Sequence, residues 1–193
     1  MQLLWIFKKI DNIVIKIEKT SFKDLLIVKK DKFEDNRGYF LELFKKKLFK
    51  HNFPFTCISF SKKNILRGLH FQHKKKQGKY VTVLKGRIVD IAVDLRKGSQ
   101  TFGKYFKIEL SEKNKKSIFI PPGFAHGFYS LDNENYVLYS CSNYRNKDSE
   151  LGLIWNDKDL KIKWPSKKPI LSNKDKKNMT FQEFKNKYIK KFI

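Results

Sequence analysis

Several residue types that build familiar sites are scarce in this sequence. There are two cysteines, Cys57 and Cys141, too few for a disulfide framework and not in a metal-type spacing. There are four histidines, His51, His70, His73 and His126, which narrows the search for chemistry near neutral pH. The one compact apolar run near the start, Leu3-Leu4-Trp5-Ile6-Phe7, is too short to span a bilayer. No basic stretch precedes it and no small-residue cleavage site follows, so no membrane partner and a reducing, cytoplasmic setting are expected. Arginine is scarce against its background: Arg37, Arg67, Arg87, Arg96 and Arg145 are the five among 43 basic residues, in a chain of net charge +24.

A charge of that size points first to nucleic acid. Yet arginine is the residue that reads phosphates and base edges with paired hydrogen bonds. Here the charge is almost all lysine, scattered in pairs such as Lys8-Lys9, Lys29-Lys30 and Lys190-Lys191. Alanine occurs only at Ala92 and Ala125 while asparagine, isoleucine and phenylalanine abound, so the charge reads as a compositional bias that keeps the surface solvated. No nucleic-acid partner is expected.

What is present is a core. The 193 residues suit one domain, and 15% aromatics, with 18 Phe and 8 Tyr, exclude a disordered chain. No linker or repeat divides the sequence. Short β runs dominate: 13–17, 25–28, 39–43 after an Asn36-Arg37-Gly38 turn, 65–71, 80–84, 88–95, 104–110, 117–120, 124–130 and 136–143. Lys85-Gly86-Arg87 reads as a tight hairpin between two of them. Residues 44–51 suit a helical turn or two, and 181–193 an amphipathic tail helix. Strands spaced by about ten residues, without long helices between 13 and 145, predict an all-β antiparallel sandwich or barrel.

The run 88–95 bears on function. Val89, Ile91, Val93 and Leu95 share one face and Ile88, Asp90, Ala92 and Asp94 the other. The first face is core. The second sends two carboxylates to solvent or into a cavity, and alternation alone favours solvent. His51 and His73 sit in lysine-rich segments and are expected to be exposed. His70 lies in Leu66–Gln72, where Leu66, Gly68, His70 and Gln72 alternate against Arg67, Leu69 and Phe71. His126 lies in Pro121-Pro122-Gly123-Phe124-Ala125-His126-Gly127, a constrained backbone. His70-x-x-His73 on a strand would point to opposite faces, which is poor chelation, so no metal is expected.

Taken in order, a series of motifs resembles the dTDP-4-dehydrorhamnose 3,5-epimerase family, dTDP-sugar isomerases of the cupin superfamily. They are Phe33–Glu42, Leu66–Gln72, Gln77-Gly78-Lys79, Gly86, Asp90–Arg96, Ser99–Gly103, Ile120–Phe128, Tyr139, Trp155-Asn156-Asp157, Trp164-Pro165 and Leu171–Asp175. The resemblance covers about 25–175, between an extension over 1–13 and a tail over 176–193. It implies a jelly-roll barrel, a homodimer, no cofactor, and inversion of C5 and C3 of a dTDP-linked 4-keto-6-deoxyhexose for dTDP-rhamnose and surface-polysaccharide synthesis.

Both carbons are α to a ketone, so the reaction needs a base on one face, an acid on the other and a positive group at the enolate oxygen. By the resemblance, His70 matches the base, Asp175 its carboxylate partner, Tyr139 the acid and Lys79 the enolate cation. An imidazole of unperturbed pKa about 6.5 and a phenol of about 10 suit those tasks. Arg37 and Arg67 match diphosphate forks, and Glu42, Glu150, Asp90, His126 and Tyr144 match other substrate-side positions. Between Phe55 and Ser61 the family usually carries Gln-x-Asn; here Cys57 and Ser59 stand in those places, and Arg145 stands where many members have an aromatic. These departures leave open a C3-only epimerase and GDP- or CDP-linked keto sugars. A non-catalytic basic binding protein is the alternative of another class.

Overall fold

The structure is a computed structural model that describes residues 15–191. The N-terminal apolar run, the extension over 1–13, the first residues of the 13–17 run and the last two of the tail lie outside the described residues. The strands, all antiparallel to their neighbours, are β1 (Ile15–Lys19), β2 (Leu26–Lys30), β3 (Lys32–Asp35), β4 (Gly38–Leu41), β5 (Phe55–Ser61), β6 (Leu66–Gln72) and β7 (Lys79–Lys85). They continue with β8 (Arg87–Asp94), β9 (Tyr105–Ser111), β10 (Lys116–Ile120), β11 (Phe124–Ser130), β12 (Asn135–Cys141) and β13 (Glu150–Gly152). One α-helix, α1 (Phe181–Tyr188), follows, and Lys46–Leu48 forms a short 3-10 turn. Six strands make one sheet in the order β1-β2-β10-β7-β12-β5, and five make another in the order β13-β6-β11-β8-β9. β3 and β4 form a separate hairpin across Asn36-Arg37.

The expected all-β sandwich is what forms, with a local correction at one turn. β7 and β8 do not pair. They belong to different sheets, so Lys85-Gly86-Arg87 is a corner that carries the chain from one sheet to the other. Gly86 has φ +83°, and a Cβ there would stand 2.1 Å from the Glu134 carbonyl oxygen. A side chain has no room at that corner.

Two clusters hold the layers together. Val81, Val83, Ile118 and Val137 of the six-stranded sheet meet Ile88, Ala92, Phe124 and Phe128 of the five-stranded one. On the far face of the five-stranded sheet, Val89, Ile91, Val93 and Leu95 pack with Leu69, Phe71, Phe181 and Phe184. β8 is therefore buried on both faces. The solvent reading of Asp90 and Asp94 is corrected: both are fully buried. Asp94 is satisfied by the Arg96 guanidinium and the hydroxyls of Ser99 and Thr101, which explains the Ser99–Gly103 motif as a structural knot.

The helix starts where the sequence supplies a capping box. Thr180 accepts from the Glu183 backbone N–H at 3.1 Å, and the Glu183 carboxylate accepts from the Thr180 N–H at 2.7 Å. Asp157 accepts from the Phe181 N–H at 2.8 Å, tying the Trp155-Asn156-Asp157 motif to the helix start. Phe181 and Phe184, three residues apart, then share the face laid on β8 and β6.

Candidate active site

At one end of the sandwich the inner faces change character. On β7 the inward series Val83, Val81 ends in Lys79; on β12 Val137 is followed by Tyr139 and Cys141; on β5 Phe55, Cys57, Ser59 and Ser61 share the inward face. The five-stranded sheet answers with His126 on β11 and His70 on β6, which stand opposite each other in register. These residues surround a cavity of about 380 Å³. It is of a size to take a small organic ligand.

One irregularity builds this wall. Strict alternation puts Arg67 and His70 on opposite faces of β6, yet both line the cavity. The pairing of β6 with β11 shifts between His126 and Phe128, opposite Gly68. Gly68 has φ +121°, and a Cβ there would lie 2.5 Å from the Gly127 Cα. Two glycines face to face let the backbones close and the strand reset its phase.

His70 is held by a residue far away in sequence. Its Nε2 lies 2.5 Å from Asp175 Oδ1. The segment before Asp175 is pinned to β6 by Ile170, whose carbonyl accepts from the Leu66 N–H at 3.0 Å and whose N–H donates to the Asn64 carbonyl at 2.8 Å. Burial pushes the Asp175 carboxyl up, but the hydrogen bond and charge of His70, with Ser172, outweigh it and hold the group below the usual carboxylate range. An ionised acceptor at Nε2 selects the Nε2–H tautomer and leaves the Nδ1 lone pair for a proton.

Facing it from the other sheet is Tyr139. Burial pushes its phenol up, and the hydrogen bond with Ser59, at 3.1 Å, only partly offsets this. On the cavity wall His126 Nε2 meets Asp90 Oδ2 at 2.7 Å. The His126 ring sits edge-on to Tyr139 at 6.2 Å between centroids. Lys79 lines the same space; burial lowers its ammonium, against the opposing charges of Cys141, Glu150, Asp90 and Cys57.

Arg67 is oriented by β5: its Nε donates to Ser61 Oγ and its Nη2 to the Phe60 carbonyl, both at 2.9 Å. At the mouth, Glu150 accepts from Arg145 at 2.8 Å and from Lys174 at 2.9 Å. Burial would raise the Glu150 carboxyl, but these two cations bring it down to about 2. Tyr144 is 66% exposed beside Phe55, 6.4 Å between ring centroids.

Thus His70, Tyr139, Lys79, Arg67, His126, Cys57 and Glu150 share the cavity, with Asp175, Asp90 and Ser59 bonded to its walls. Arg37, Glu42 and Tyr144 do not line it. Arg37 is on the exposed β3–β4 turn, bound to Asp35 at 2.7 Å, and Glu42 pairs with Lys45 at 2.8 Å. Arg145, singled out as a departure from the family, lines the cavity; so do Phe55, Gln77 and Cys141, which are not among the expected contacts. Alternation on β5 and β12 would have found Phe55 and Cys141, had β5 been read as a strand. His51 and His73 are not free at the surface: His51 packs on Phe119 and His73 Nδ1 bonds the Ser149 carbonyl at 3.0 Å. Among the described residues no group of three or more His, Cys, Asp and Glu is placed to hold a metal ion.

A jelly-roll sandwich with a carboxylate-backed histidine on one wall and a phenol and an ammonium on the other has the groups that a proton-transfer isomerase needs. Sequence comparison makes this specific: a profile for dTDP-4-dehydrorhamnose 3,5-epimerase matches residues 19–183. The chain is 44% identical over 165 residues to the dTDP-4-dehydrorhamnose 3,5-epimerase of Salmonella typhimurium, covering 81% of this chain and 90% of that one. Among solved structures, the Legionella pneumophila dTDP-6-deoxy-D-glucose-3,5-epimerase in complex with dTDP-4-keto-L-rhamnose superposes with a TM-score of 0.85 at 38% identity, covering 88% of this chain and 94% of that one. The Bacillus anthracis dTDP-4-dehydrorhamnose 3,5-epimerase, with TDP and pyrophosphate bound, gives 0.84 at 38% identity, covering 87% and 100%. The chain belongs to the dTDP-4-dehydrorhamnose 3,5-epimerase family.

Proposed function

We propose that this chain inverts C5 and C3 of dTDP-4-keto-6-deoxyglucose within the cavity between its two sheets, as a step of dTDP-L-rhamnose synthesis in the cytoplasm. The observation that carries the reading is the placement of His70 and Tyr139 on opposite sheets around one cavity. A base and an acid on opposite sides of a planar enolate produce inversion; on one side they would return the starting sugar.

His70, held by Asp175, takes the proton α to the C4 ketone through Nδ1. Negative charge moves to the C4 oxygen, where the Lys79 ammonium, in a partly desolvated site, stabilises it. Tyr139 then gives its proton to the same carbon from the other face. Repeating the cycle at the second α carbon completes the reaction. Arg67 suits the diphosphate because Ser61 and the Phe60 carbonyl fix its plane. Arg37, on an exposed hairpin with Tyr39 and Phe40 at 61% and 44% exposure, suits contact with a second copy of the chain, in line with a homodimer of single-domain protomers.

The test is proton NMR in D₂O with dTDP-4-keto-6-deoxyglucose, repeated with GDP- and CDP-linked sugars. Deuterium at both C3 and C5 with the dTDP sugar is the expected result. Label at C3 alone selects the mono-epimerase. Preference for another nucleotide would trace to the Cys57 and Arg145 side of the cavity. No exchange with any of them overturns the assignment.

A further inference from the structure

Two inversions on one sugar impose a requirement that one does not. After the first, His70 carries an extra proton and Tyr139 lacks one. Both must reset while the sugar still fills the cavity. His70 can lose its proton to water directly, since 30% of its side chain is exposed. Tyr139, half-buried, faces the cavity that the sugar fills, and among the described residues its one hydrogen-bond partner is Ser59, which is the route out through the wall.

The register explains the contact. Tyr139 stands opposite Cys57 and Val137 opposite Ser59, so Ser59 is the diagonal neighbour of Tyr139 on the inward face. Ser59 is half-buried on β5, the edge strand of its sheet, so its hydroxyl joins the phenol to the open edge of the sandwich. Its neighbour two residues on, Ser61, is already committed to Arg67.

We propose that Ser59 is the proton relay that recharges Tyr139 between the two inversions. The Ser59 O–H donates to the Tyr139 oxyanion and Ser59 Oγ takes a proton from water, while the imidazolium of His70 returns one to solvent. The proton count balances over the cycle. Ser59 acts through Tyr139 rather than on the sugar, and the inference rests on Tyr139 being the acid.

The experiment follows deuterium at the two carbons during a single turnover in D₂O, for the wild type, Ser59→Ala and Ser59→Thr. In Ser59→Ala the ratio of the second-centre to the first-centre rate should fall by about 10²-fold, the lower end of what a positioned proton donor contributes. Ser59→Thr, which keeps the hydroxyl, should restore the ratio. A small buffer acid should also restore it in Ser59→Ala as its concentration rises. An unchanged ratio in Ser59→Ala, or equal slowing at both centres, overturns the relay, the latter leaving Ser59 a purely structural contact. Absence of label at both carbons in the wild type, or full-rate inversion by Tyr139→Phe, strikes the assignment of Tyr139 instead. The two failures are thus separate. If the wild type labels one carbon only, the relay is read between turnovers: Ser59→Ala should keep its burst and slow its steady state, and equal slowing of both overturns it.

Discussion

Asp175→Asn is the sharpest probe of the proton-transfer assignment, because it removes a charge and leaves the shape. In the wild type the carboxylate lies 2.5 Å from His70 Nε2. Its charge is worth most when the imidazole becomes imidazolium, after proton abstraction. Two unit charges about 4 Å apart attract by about 4 kcal/mol at an effective dielectric near 20. Asp175 is buried but His70 is partly open to water, so screening brings this to about 2–3 kcal/mol. Each 1.36 kcal/mol is tenfold in rate, so kcat should fall about 30- to 200-fold. KM should change little, since Asp175 stands behind the histidine rather than in the cavity. The assay is loss of C5 and C3 protons in D₂O at saturating sugar. The carboxyl is held below its ordinary range, so its stabilising contribution is present above the unfolded pKa and is lost as pH falls through the folded one. A kcat within about threefold of wild type, or a loss confined to KM, would refute the role of the pair.

Tyr139→Phe should cut the rate at both centres by about 10²-fold or more while leaving binding of dTDP, measured by calorimetry, near wild type. Lys30, buried against Ser117 Oγ at 2.5 Å, has its ammonium lowered by burial to about 8. The unfolded chain then binds the extra proton between about pH 8 and 10.5, so stability should rise with pH across that window. Lys30→Met should raise stability at pH 7 by about 2 kcal/mol in urea unfolding and flatten that rise; an unchanged midpoint would count against a buried ammonium. Gly86→Ala should cost about 2 kcal/mol or more, seen as a drop in Tm, because the corner has no space for a methyl and φ is positive. Glu150→Gln should flatten the acid limb of unfolding between pH 4.5 and about 2, where the wild type loses the contribution of a carboxylate held low by Arg145 and Lys174.

Strand content and sandwich class were legible because the apolar residues alternate in short runs, and β11, 124–130, was read to the residue. β5 was not read, since Phe55–Ser61 alternates a serine and cysteine face with an apolar one that points outward, where Ile58 and Phe60 stay 55% and 43% exposed. The usual rule, apolar inside and polar outside, is inverted there because the inside is the cavity. The same inversion hid Asp90. A carboxylate in an alternating strand reads as solvent-facing until a second sheet is known to cover it and a histidine to meet it. Position in the chain gives no hint that Asp175 belongs with His70, 105 residues away. That contact depends on a parallel bridge between Ile65 and Ile170, a pairing with no local signature. Motif order supplied what periodicity could not, and the reason is physical. A site built where two sheets diverge needs polar residues on inward faces, glycines where backbones touch, and partners brought in by long-range pairing. Each is an exception to the pattern that identifies a strand. Together, in the order His70, Lys79, Asp90, His126, Tyr139 and Asp175, they cluster at one end of the sandwich. The departures from alternation therefore locate the chemistry more sharply than the strands that obey it.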